Sequence, residues 1–210
     1  MISKFYRKVM PKILGESKKQ IRLSIILFVL GMILGYIVVR DTTNIQSLLI
    51  QPMQEKFGLL TGESMTNFGV LSSIFINNLK VALLMLVTGW FFGILPTFTI
   101  LFNGLIIGIM VKYISLVVLI APFKTILTLL PHGILEIPAL VLTCALAMRT
   151  GGMFFDAIRK VKTFVDFKKS MVEMVTSMVF LIIPAFLIAA VIETFVSSQL
   201  ASAIFAGSVL

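Results

Sequence analysis

Long apolar runs are the feature of this sequence that most restricts its fold. The first of them, IRLSIILFVLGMILGYIVV, occupies residues 21–39. A helix of about 20 such residues matches the hydrocarbon thickness of a bilayer, where each backbone polar group must be bonded within its own segment. The chain is 59% hydrophobic and 13% charged, and so few charges could not cover a water-facing surface. The sequence therefore predicts an integral membrane protein made of helices.

The predicted fold class is all-α, a polytopic transmembrane helical bundle with interfacial amphipathic helices. All 210 residues form one membrane domain. The sequence indicates about five spans, with a tight turn at Pro96 and Thr97 and a kink at Pro184. The predicted spans are 21–39, 74–95, 98–119, 131–148 and 172–196. A sixth span, within the apolar tail 197–210, is left open.

Two segments hold thirteen of the eighteen Lys and Arg residues. They are Lys4, Arg7, Lys8, Lys12, Lys18, Lys19 and Arg22 in the first, and Arg149, Arg159, Lys160, Lys162, Lys168 and Lys169 in the second. Cytoplasmic segments of membrane proteins are enriched in these residues. Residues 1–20 are therefore predicted to be a cytoplasmic basic segment, and residues 149–171 a cytoplasmic amphipathic one.

This orientation places the N-terminus in the cytoplasm of a multi-pass protein of the cell membrane, and it places residues 40–73 outside. Ile45, Leu48, Leu49 and Met53 lie at helical intervals in that external segment and predict a short surface helix. The net charge of +9 reflects these two basic segments, whose Lys and Arg residues favour anionic headgroups. It is not evidence for nucleic acid as a partner.

Glycines spaced four residues apart predict how the spans pack. The pairs are Gly31/Gly35, Gly89/Gly93 and Gly104/Gly108, with Ala185/Ala189 as a small-residue counterpart in the last span. Such pairs lie on one helix face and let a second backbone approach closely. We expect them to pack helices within the chain, while a homodimer stays open.

The alternating direction of the spans brings polar residues from distant parts of the sequence to one layer in the outer half of the membrane. These residues are Asn77, Asn78, Lys80, Lys112, His132 and Glu136, with Glu193 at the outer end of the last span. Asn103 lies nearer the cytoplasm. If Glu136 lies beside Lys80 or Lys112, the two side chains would form an ion pair. In the alternative arrangement, both lysines extend toward the outer headgroups.

The stretch LLPHGILEIP carries the only histidine of the chain, His132, one helical turn before Glu136. The two side chains project from one helix face. Pro138 removes a backbone hydrogen bond, Pro131 suits a first helical position, and Gly133 allows close approach. One interpretation is a structural cluster of polar groups that bends this span and fixes its position in the bundle. The other is a proton or ligand site.

The sequence carries no recognisable enzyme signature. One histidine and one glutamate are too few for a zinc site, and the single cysteine, Cys144, excludes an intramolecular disulfide. We therefore expect no catalytic residues, no metal and no cofactor.

Three motifs in this order, FINNLKVALLMLVTGWFFG, FNGLIIG and LLPHGILEIPA, resemble the stage II sporulation protein M family of prokaryotic membrane proteins. The resemblance is strong from about residue 68 to 152. It covers Asn77, Asn78, Gly89, Gly93, Asn103, Gly104, Gly108, Pro131, His132, Gly133, Glu136, Pro138 and Ala139.

The resemblance implies a non-enzymatic membrane scaffold that organises other membrane or envelope proteins; sporulation does not follow from it. The alternative function is a small transporter or channel-like protein, with a polar cavity around Glu136, His132, Asn77 and Asn78. The bilayer is a partner in either case.

Overall fold

The computed structural model describes residues 3, 5–40, 45, 66–90, 92–117, 119 and 121–197, with the backbone alone at 128, 129, 131, 132 and 197. Every regular element in these ranges is helical. Five helical segments are long and apolar enough to cross a membrane, which confirms the predicted all-α transmembrane bundle. Residues 46–53 of the predicted surface helix and the tail 198–210 lie outside the described residues.

Seven α-helices follow one another along the described chain. They are α1 (Met10–Glu16), α2 (Lys18–Val38), α3 (Asn67–Thr88), α4 (Ile94–Val117), α5 (Pro122–Ile158), α6 (Phe164–Ser177) and α7 (Ile183–Ile192). Short π-helical stretches, Phe5–Val9, Met178–Ile182 and Glu193–Ser197, precede α1, join α6 to α7 and follow α7. The path from Phe164 to Val196 is long enough to serve as one span.

Helices α2 and α4 cross with their backbones in contact. A Cβ atom placed on Gly31 or Gly35 would lie 2.1 Å from the carbonyl oxygen of Leu101 or Leu105. In the reverse direction, a Cβ on Gly104 or Gly108 would lie 2.1 or 2.0 Å from a carbonyl oxygen of α2. Only glycine permits this approach, which brings Cα–H groups against carbonyl oxygens along the crossing.

Helix α5 is the central helix of the bundle and packs against α2, α3, α4, α6 and α7. Residues 139–147 are buried without interruption, which exceeds the one-sided stripe of a surface helix. The described residues of the turn from α3 into α4 are Gly89, Trp90, Phe92 and Gly93, and Gly93 has a φ of +71°. Gly151 of α5 fits against this turn, since a Cβ there would lie 2.2 Å from the carbonyl oxygen of Gly89.

Two prolines, Pro96 and Pro131, differ from their predicted roles. The turn before α4 comes earlier than Pro96, which lies within the first turn of α4, where its missing N–H has no helical partner. Helix α5 begins at Pro122, after the extended residue Ala121. It continues through positions 131 and 138, so Pro131 does not begin the helix.

The N-terminal helix lies along the last helical path. The Phe5 ring packs 5.3 Å from the Phe180 ring, and the Tyr6 hydroxyl donates a hydrogen bond to the carbonyl oxygen of Phe180. Pro184 has no N–H to donate to that oxygen, four residues earlier. The π-helical stretch Met178–Ile182 ends just before Pro184, as is common where a proline interrupts a helix.

The crossing of α2 and α4 can be tested by adding one methyl group. Gly35→Ala places a Cβ within 2.1 Å of a backbone oxygen and should destabilise the bundle by about 1–3 kcal/mol through overpacking. Gly152→Ala is the control, because no atom lies within 4 Å of a Cβ there, and alanine favours the helix. Thermal unfolding in detergent should separate the two variants, and equal midpoints would contradict the close crossing.

Candidate functional site

A buried ionic cluster joins three helices at the end of the bundle where the basic segments meet. The side chain of Arg149 in α5 is 6% exposed and pairs with two carboxylates. Its guanidinium donates to Glu16, at the end of α1, and lies 3.0 Å from Glu173 Oε2 in α6. Residues 5–22, 89–93 and 149–173 are called the basic end below.

The charges within this cluster balance. Glu16 is 39% exposed and also lies 3.8 Å from the amine of Lys12, so two carboxylates face two cations. Glu173, in contrast, is only 11% exposed. A buried charge is tolerated when it is paired and hydrogen-bonded, and losing one partner leaves the other strongly destabilised. The cluster therefore ties α1, α5 and α6 together.

A second buried contact lies beside the ionic cluster. The hydroxyl groups of Thr150 and Ser170 are 2.9 Å apart and join α5 to α6. The turn between these two helices is held by Thr163, whose side chain accepts from the Asp166 N–H while Asp166 accepts from the Thr163 N–H. This reciprocal capping fixes the start of α6, and with it the position of Glu173.

Aromatic side chains surround the basic end. The Trp90 ring packs edge-on against Phe167 at 5.7 Å, and the Phe92 ring packs against Phe155 at 5.2 Å. Trp90 and Phe92 belong to the turn between α3 and α4, so this turn lies at the same end as the junction of α5 and α6. Aromatic residues of this kind are frequent at membrane interfaces.

The residues of the predicted polar layer have different surroundings. Asn78 of α3 is buried, whereas its neighbour Asn77 and Lys80, two residues further on, are exposed. Lys112 of α4 is half-buried, with its amine 4.9 Å from the centre of the Tyr36 ring of α2. Glu136 of α5 is half-buried. The side chain of His132 lies outside the described residues.

The remaining motif residues act mainly through the backbone. Asn103 donates to the carbonyl oxygen of Thr99 at 2.8 Å within α4. Gly133 meets only Ile137 of its own helix, 3.4 Å from where a Cβ would be, so within the described residues it does not admit a second helix. Pro138 is exposed on α5. Gly89 and Gly93 pack on Ala147 and Met148.

Sequence reasoning missed the ionic cluster. It counted Arg149 only among the basic residues that predict a cytoplasmic segment, and it gave Glu16 and Glu173 no role. One signal was available, because Glu16 is the only acidic residue among residues 1–22, where seven are basic. An isolated acid of this kind suggests a specific partner, but the identity of that partner requires the fold.

The described side chains include no group of three or more His, Cys, Asp or Glu residues placed to hold a metal ion. The contacts of the Arg149 cluster are electrostatic. It fixes three charged segments relative to one another.

The cluster predicts an unequal response to the loss of two arginines. Arg149→Gln leaves Glu173 buried without its cation and should destabilise the protein by about 3–5 kcal/mol. Arg159→Gln is the matched control, since Arg159 is exposed and lies 5.3 Å over the Phe155 ring, a contact of about 1 kcal/mol or less.

Denaturant unfolding in detergent micelles measures both changes. The double variant Arg149→Gln/Glu173→Gln should recover part of the lost stability, because it also removes the Glu173 carboxylate that Arg149→Gln leaves without a cation. Equal stability of the two single variants would show that the cluster does not hold the basic end.

Comparison with known proteins assigns the chain to a family. The family model described as stage II sporulation protein M matches residues 24–198, which confirms the resemblance found in the motifs. A curated relative, an uncharacterized protein of Methanocaldococcus jannaschii, is 30% identical over 194 residues, covering 88% of this chain and 97% of the relative. No solved structure matches the chain. The chain is a membrane protein of the stage II sporulation protein M family.

Proposed function

We propose that this protein is a non-enzymatic scaffold of the cell membrane that holds partner proteins at its basic end, with the N-terminus in the cytoplasm. The observation that carries the proposal is the Arg149 cluster. It joins α1, α5 and α6, so that charges from distant parts of the sequence form one surface. A preorganised surface binds partners at a lower entropic cost than separate mobile segments.

The exposed side chains of this end support a docking role. Lys160, Lys168 and Lys169 are exposed around the junction of α5 and α6, and Arg7 and Lys8 are exposed before α1. The ionic cluster joins the end of the first basic segment, at Glu16, to the second basic segment, at Arg149, and the positive-inside rule favours the cytoplasm for that side. A partner with an acidic surface would meet complementary charge there.

The packing of the interior favours a scaffold over the transport alternative. Residues 139–147 of the central helix are buried, and glycines hold α2 against α4 at backbone contact. Asn77 and Asn78 face different surroundings, so they do not line one common surface. These features support a closed bundle whose partners bind at its surface.

The scaffold role predicts a partner that depends on the basic end. A photo-crosslinking residue at position 160 should capture a defined membrane or envelope protein in native membranes, identified by mass spectrometry. Lys168→Gln/Lys169→Gln should reduce that crosslink about tenfold or more, because each exposed charge contributes to steering and docking. Lys80→Gln/Lys124→Gln, which removes two exposed charges elsewhere, should leave it unchanged.

Two outcomes would contradict the scaffold role. One is an equal loss of the crosslink in both double variants, which would indicate a nonspecific charge effect. The other is a proton-coupled flux in liposomes that Glu136→Gln abolishes without changing thermal stability. That result would establish the transport function instead.

A further inference from the structure

A shallow groove along the first two turns of α2 is bordered by three cationic residues and, further along the predicted span, by two exposed apolar ones, and the surface that lines it is almost entirely apolar. It has a volume of about 450 Å³ and is lined by Lys18, Lys19, Arg22, Leu23 and Ile26. Residues 19, 22, 23 and 26 are spaced by three or four positions, so they share one helix face. All five side chains are exposed.

We propose that this groove binds one anionic glycerophospholipid, with its phosphate at Lys18, Lys19 and Arg22 and an acyl chain along Leu23 and Ile26. A ligand that satisfies the groove must combine a negative charge with an apolar part. Phosphate oxygens suit the guanidinium of Arg22 as a bidentate partner and the two lysines as point charges. The apolar positions give a free inorganic anion no contact.

The depth of the groove fits a lipid in the bilayer. Lys19 and Ile26 are seven residues apart, which is about 10 Å along a helix. A headgroup layer is about 5–8 Å thick on each side of the hydrocarbon core. With the cations at headgroup level, Leu23 and Ile26 therefore reach the acyl chains.

The charges of the groove are available for an external anion. Glu16 is the acidic residue nearest in sequence, and it is engaged by Arg149 and Lys12. The ionic cluster thus withdraws the adjacent carboxylate from Lys18 and Lys19. An anionic headgroup is the negative group that a membrane supplies at this level. The lipid site does not depend on the scaffold role.

Native mass spectrometry of the full chain in neutral detergent tests the site. Phosphatidylglycerol should bind as a discrete adduct and at least about tenfold more tightly than phosphatidylcholine, since each nearby Lys or Arg favours an anionic headgroup. Lys18→Gln/Lys19→Gln/Arg22→Gln should lose about tenfold or more of this affinity. Lys160→Gln/Lys168→Gln/Lys169→Gln removes the same charge from the same end and should retain it.

A second pair of variants tests the apolar half. Leu23→Ala/Ile26→Ala should weaken phosphatidylglycerol binding about threefold or more, by shortening the contact with the acyl chain. Ile33→Ala/Ile37→Ala, two exposed residues further along α2, should not change it. Thermal unfolding confirms that each variant is folded before binding is compared.

Several results would overturn the proposal. Equal losses of phosphatidylglycerol affinity in the two charge variants would show that the lipid is attracted by the overall charge of the basic end and not bound at a specific site. Equal affinity for phosphatidylcholine would remove the role of the cations. Displacement of the lipid by millimolar inorganic phosphate, together with unchanged binding in Leu23→Ala/Ile26→Ala, would indicate a phosphate site without an acyl contact.

Discussion

The backbone contact between α2 and α4 is the interaction on which the rest of the bundle depends. In a bilayer, apolar side chains gain little by leaving lipid for protein, so helices associate through close packing and weak polar contacts. Gly31 and Gly35 meet α4 while Gly104 and Gly108 meet α2, and each contact is possible only without a Cβ. Gly89 and Gly151 allow the same close approach where the turn between α3 and α4 packs against the central helix.

Close packing aligns the helices, and the ionic cluster then determines how their ends are arranged. Arg149 is buried because α1 and α6 bring carboxylates to it. Its charge would otherwise be very costly at this depth. Lys18, Lys19 and Arg22 follow α1 in the sequence and are exposed at the start of α2. One buried charge therefore ties α1 to the central helix.

Much of the fold could be predicted because its signals are local. A run of apolar residues predicts a membrane helix irrespective of its neighbours, and five such helices are present. The glycine pairs were equally visible, but the sequence did not show which pairs meet. The prediction that Pro131 begins a helix was wrong, although it also rested on a local signal. A local rule places proline at a helix start, whereas α5 begins at Pro122 and continues through that position.

The ionic cluster is beyond local reasoning, because Glu16 and Arg149 are far apart in the sequence and neither belongs to a spacing pattern. Positive charge at the end of a span predicts the orientation of that span. The sequence indicates no other role for Arg149. Burial gives it a second role. The distinction matters for function, because a charge that only sets orientation can be replaced by any neighbouring lysine. A charge that pairs with Glu16 and with the buried Glu173 cannot be replaced in this way, since an exposed lysine nearby would leave the Glu173 carboxylate buried without a cation. The segment around residue 149 is therefore a structural joint of the bundle as well as part of its cationic surface.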